Sequence, residues 1–166
     1  MICQWIVEPW LGNSVQVCRE LTAMKTILWS FDGTLHIIVH SEAVPTDAEW
    51  DAYLAAFPAG DLLSHYKVIV YSLGGGPNGA QRVRLVNLIR ARPPRVALLT
   101  GSSVMRGIGT AVSWFIRSLK VFPLPERAAA FRYLDMSPNE EQRANETIDR
   151  FVRELAGQGD SALPRN

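Results

Sequence analysis

At 166 residues, 48% hydrophobic and 20% charged, the chain has the length and apolar content of one globular domain with its own core, which excludes a disordered protein. Its 17 Lys and Arg against 16 Asp and Glu leave a net charge of +1, so no global basic field points to nucleic acid as the partner. No apolar run approaches the ~20 residues that span a bilayer, and the first residues lack the basic start of a signal peptide; with only two cysteines and no disulfide framework, the reducing cytoplasm is the expected location.

Residues 1–23 show neither a helical nor a strand period, and Pro9, Gly12 and Asn13 interrupt them. They read as a loose N-terminal extension; the alternative is an extra edge strand over residues 4–7. Cys3 and Cys18, the only cysteines, both lie here. They form no C-x-x-C pair and no histidine cluster joins them, so no metal site is expected.

From Met24 the pattern sharpens. Two β-rich runs, 26–31 and 34–40, flank Asp32-Gly33, a strong hairpin signal because both residues tolerate positive φ. Thr46-Asp47-Ala48-Glu49 is a capping box, and Trp50, Leu54 and Phe57 follow at helical spacing toward a stop near Pro58 and Gly60. "KVIVYS" (67–72) reads as a buried central strand. The loop "LGGGPNG" then leads to a helix over 80–91, with Leu85, Val86 and Ile89 as its buried stripe and Arg82, Arg84 and Arg90 outside it. Pro93-Pro94 ends that helix, and "RVALLT" (95–100) is a second buried strand.

After "GSSV" a helix is predicted over 105–119. Ile108, Val112, Phe115 and Leu119 form its apolar face, with Phe115 against "VALLT" and Trp114 half covered by the C-terminal helix. "KVFP" is a last short strand, followed by a helix starting near Pro125. Ser137-Pro138-Asn139-Glu140 is another capping box. The final helix carries Ala144, Ile148, Phe151, Val152 and Leu155 on one face, with Glu146–Arg150 and Asp149–Arg153 as i,i+4 pairs on the other. The tail from Gly157 reads as frayed. An opening hairpin followed by β-α repeats implies an α/β fold with a mixed sheet of four or five strands and packed helices.

"SFDGT" (30–34) lies close to the D-x-D-G-T signature of the haloacid dehalogenase phosphatases. That chemistry needs the first aspartate as nucleophile, and the position is Ser30; Asp32 alone is an acid without its nucleophile. Turn chemistry accounts for D-G. "GGGPNG" lacks the G-K-[ST] of a P-loop and the spacing of G-x-G-x-x-G. Ser102 and Ser103 lack a G-x-S-x-G elbow. His36 and His40 share one face of a strand, as on a sheet surface, and with His65 they have no evident serine or cysteine partner.

The stretches "RVALLTGSSVMRGIGTAVSWF" and "KVFPLPERAAAFRYL" give a strand, a loop, a helix and a short strand leading into an alanine-rich helix. With "YSLGGGPNGAQR" placed as the key strand-to-helix loop, residues 24 to about 134 resemble the STAS family, the anti-sigma-factor-antagonist fold, and most closely small bacterial SpoIIAA-like single-domain proteins. The resemblance implies one STAS-like domain over 24–156, its last helix extending past the minimal fold, and a frayed tail over 157–166. It implies a non-enzymatic cytoplasmic regulatory module, without cofactor, that binds a partner protein through loops 73–79 and 101–107. The partner-binding residues would be Gly74, Gly75, Gly76, Asn78, Ser102, Ser103 and Arg106. In the family's antagonists a serine in a D-S-x-G segment is phosphorylated. Here Asn78, in Pro77-Asn78-Gly79-Ala80, stands near its place, so that chemistry is lost. The alternative is a small-anion or nucleotide site at the same helix N-termini, with Arg82 and Arg106 supplying charge.

Overall fold

The computed structural model describes residues 24–57, 65–89, 93–103, 106–107 and 118–160. The expectations for residues 1–23, for Pro58, Gly60 and Arg90, and for Ile108, Val112, Trp114 and Phe115 lie outside the described residues.

Five strands form one mixed sheet in sequence order: β1 (Ile27–Asp32), β2 (Leu35–His40), β3 (Lys67–Ser72), β4 (Arg95–Thr100) and β5 (Leu119–Phe122). The first pair is antiparallel and the remaining three pairs are parallel. The hairpin turn sits one residue later than its D-G signal suggests. Asp32 still pairs with Leu35, and Gly33 and Thr34 make the turn. Only Gly33 takes positive φ, at 58°, which suits a glycine-first primed turn and keeps the right-handed twist of the flanking strands. Leu119, predicted as the end of a helix, opens β5 instead and pairs with Val96.

Because β2, β3 and β4 are covered on both faces, their sequences are almost continuously apolar. One face carries Leu35, Ile37, Val39, Ile69, Tyr71, Ala97 and Leu99, packed under α3 (Arg127–Tyr133) and α4 (Pro138–Asp160). α4 contributes Ala144, Ile148, Phe151 and Leu155, as its periodicity predicts, and runs on to Asp160, past the boundary where the sequence suggests fraying. Its Asp149 bonds Arg127 of α3 at 2.8 Å, tying the two helices of this layer together.

The other face carries Ile38, Val68 and Val96 under α1 (Asp47–Ala55) and α2 (Gly79–Ile89). Right-handed crossovers through strands laid down in one direction place both helices on this side. Thr46 and Glu49 form the predicted capping box, and Glu49 also accepts from the Thr26 N–H at 2.7 Å, fixing α1 over the start of β1. The Trp50 indole N–H donates to the Gln81 carbonyl at 3.1 Å, locking α1 to α2. Ser137 and Glu140 cap α4 in the same reciprocal way, and Glu140 takes the Lys67 ammonium at 3.0 Å.

Candidate functional site

The parallel register aligns the last residues of three adjacent strands: His40 stands beside Ser72, and Ser72 beside Thr100. All three are buried polar side chains on the α1–α2 face, at the carboxyl edge of the sheet. In open α/β sheets this edge is where the connecting loops gather and ligands are met. Here it gathers the loops after β2, β3 and β4.

Two of the three, Ser72 and Thr100, shape the loops that follow them. The Ser72 hydroxyl donates to the Gly75 carbonyl at 2.7 Å and accepts from the Gly74 N–H at 3.1 Å. Its proton is therefore committed to the loop, so Ser72 is not held as a nucleophile despite its histidine neighbour. The Thr100 hydroxyl accepts from the Ser102 N–H at 3.2 Å.

The glycine loop is tightly held. Gly74 has φ of 139°, a conformation that side chains rarely adopt. The Gly75 N–H donates to the Ser41 carbonyl at 2.9 Å. A Cβ on Gly75 would lie 2.3 Å from the Ala43 carbonyl oxygen, so only glycine allows this approach. Gly75 and Gly76 are buried; of the residues the sequence singles out in this loop, Asn78 is exposed. Asn78 and Gln81 cap α2 reciprocally, each backbone N–H donating to the other side chain at 3.0 Å. The Gln81 amide, itself buried, also donates to the Pro45 carbonyl at 2.9 Å and to the Asp47 carboxylate at 3.0 Å. One side chain thereby ties the loop after β2, the loop after β3 and the first turn of α1.

Arg82 turns back to donate to the Pro77 carbonyl at 2.6 Å. Ser103 and Arg106 are exposed and Ser102 is half-buried, with the Arg106 N–H donating to the Ser102 carbonyl at 3.0 Å. The residues expected in the two loops thus come to one edge. The sequence gives no hint of the third component there, the loop 41–46, which exposes Val44 and braces Gly75.

The histidines depart from expectation. His36 and His40 do share a face, but that face is interior: they are 1% and 3% exposed. The His36 ring lies parallel to Phe31 at 3.9 Å between centroids and stacks at 5.8 Å on Tyr53. Its Nδ1 lies 3.1 Å from the Ser30 carbonyl, which can only accept, so Nδ1 carries the proton and Nε2 accepts from the Tyr53 hydroxyl at 3.2 Å. Burial pushes the Tyr53 phenol up, which keeps that hydroxyl a donor. Burial also holds both imidazoles near a pKa of about 4, below the ordinary 6.5, so each is neutral at pH 7. The signal that could have located them is α1: a capped helix bearing Trp50 and Tyr53 needs a sheet face to cover.

Among the described residues no group of three or more His, Cys, Asp or Glu could hold a metal ion, and no helix is long and apolar enough to cross a membrane. Fold and edge together define an α/β protein that presents three braced loops at the carboxyl ends of its parallel strands. No family model matches this chain, and neither the curated proteins nor the solved structures contain a match to it.

Proposed function

We propose that this chain is a regulatory module of the STAS-like type, acting in the bacterial cytoplasm, whose carboxyl-edge loops dock a partner protein. The observation that carries the reading is the convergence of loops 41–46 and 73–79 with the turn at 101–102 on one edge, where Val44, Asn78, Ser103 and Arg106 are exposed and the base beneath is tightly hydrogen-bonded. A rigid base lowers the entropy lost on association. The described part of the element order on which the STAS resemblance rests, β1-β2-α1-β3-α2-β4 and then β5-α3, supports the same reading.

The small-anion alternative draws less support. The α2 N-terminus is capped by its own Asn78 and Gln81, and Arg82 donates to the Pro77 carbonyl.

Affinity capture from the native host, with wild type and a Val44→Glu/Ser103→Glu variant side by side, tests the proposal. A specific protein held by wild type and lost by the variant, with an unchanged melting curve, is the expected result. A partner retained equally by both would place the docking surface elsewhere. In the same series, a melting temperature raised by inorganic phosphate or a nucleotide would favour the anion site instead.

A further inference from the structure

Between the sheet and the helices α1 and α2 lies a cavity of about 120 Å³. Its walls are almost wholly apolar, built from Trp50 of α1, Val70 and Leu98 of the sheet, and Leu85 of α2. His40 also lines it, and the Nδ1 of that buried ring has no hydrogen-bond partner among the described residues. Buried polar atoms are nearly always partnered, because leaving one bare costs about 1–3 kcal/mol. This one stands at the carboxyl end of a parallel strand, against an apolar space.

We propose that this cavity is a binding site for a small neutral arene bearing one hydroxyl, its ring held by the apolar walls and its hydroxyl bonded to His40 Nδ1. Size sets the first limit: an engineered apolar cavity of roughly 150 Å³ takes benzene, so a single ring is the largest occupant here. Water is a poor occupant, since a buried water needs two to four polar partners and these walls offer few. A hydroxyl can give or accept a hydrogen bond, so it satisfies Nδ1 in either tautomer of the neutral ring. The ring carries no charge at pH 7, so His40 offers a carboxylate no counter-charge to offset the cost of burying it. Arg82, the cation on the cavity wall, already donates to the Pro77 carbonyl. The site is independent of the partner-docking reading and stands or falls without it.

Titration calorimetry of the full chain at pH 7.5 with phenol, toluene and benzoate tests the proposal. Phenol is expected to bind about tenfold more tightly than toluene, the worth of one neutral hydrogen bond. His40→Leu, close in size and apolar, should erase that preference while toluene still binds. Leu85→Phe, which puts a ring into the cavity from a half-buried helix position, should weaken both. Equal binding of phenol and toluene to wild type would overturn the proposal, as would phenol binding unaltered by His40→Leu or no phenol binding at all. Benzoate binding more tightly than phenol would move the polar anchor to Arg82 and overturn it equally.

Discussion

Lowering the pH from 7.5 to 5 removes a large, calculable share of this protein's stability through two rings. His36 and His40 titrate at about 4 in the fold, against 6.5 in the unfolded chain, because burial disfavours their charged forms. Between those values the unfolded state binds more protons than the folded one, so stability falls as pH falls from about 6.5 and levels off below about 4. At pH 5 linkage gives about 2 kcal/mol lost per ring, or roughly 4 kcal/mol for the two. That is a large part of the ~5–15 kcal/mol that holds an ordinary domain together. The carboxyl groups do not confuse this window. Glu49 is held below the ordinary carboxylate value by hydrogen bonds from Thr26 and Thr46, which outweigh its partial burial. Glu140 is held low chiefly by the Ser137 N–H and also by Lys67. Their contributions persist above the unfolded carboxylate pKa of about 4.3 and are lost only as pH falls further.

Urea denaturation at pH 7.5, 6.5, 5.5 and 5.0, followed by tryptophan fluorescence, measures the effect. His40→Leu should halve the fall. At pH 7.5 it should cost little or even stabilise, because it removes a bare polar atom from the interior. A wild-type fall below about 1 kcal/mol across the window, or the full fall retained in His40→Leu, would refute the assignment of these rings as buried neutral bases.

Other substitutions probe the scaffold. Gly75→Ala should destabilise by about 3 kcal/mol, because the new methyl meets the Ala43 carbonyl oxygen and Glu42 backbone, neither of which can swing aside; its urea midpoint reads this directly. Phe131→Ala should cost ~3–5 kcal/mol by emptying a site 2% exposed between α3 and the sheet, again read by chemical denaturation. Ser137→Ala should cost about 1 kcal/mol through loss of the α4 cap, and hydrogen exchange should rise first at the N–H of Glu140.

Local chemistry was legible in the chain. Asp32-Gly33 announces a hairpin, Thr46 with Glu49 and Ser137 with Glu140 announce two helix starts, and the spacing of Ala144, Ile148, Phe151 and Leu155 marks the buried face of α4. These signals rest on interactions within a few residues, so sequence carries them whole. Two adjustments were small: the turn slid by one residue because Asp32 keeps a ladder partner in Leu35, and Leu119 left its helical stripe to pair with Val96.

What the tertiary structure alone decided was which polar groups meet. His40, Ser72 and Thr100 are 32 and then 28 positions apart in the chain, and only parallel register sets them in one row. Gln81 looks like an ordinary helix residue until folding brings Pro45 and Asp47 against its amide. Period-two alternation shows that His36 and His40 share a face, but not whether that face meets water or a helix. That choice belongs to the crossover connections, whose handedness lays α1 and α2 over the histidines and makes a sheet surface into an interior.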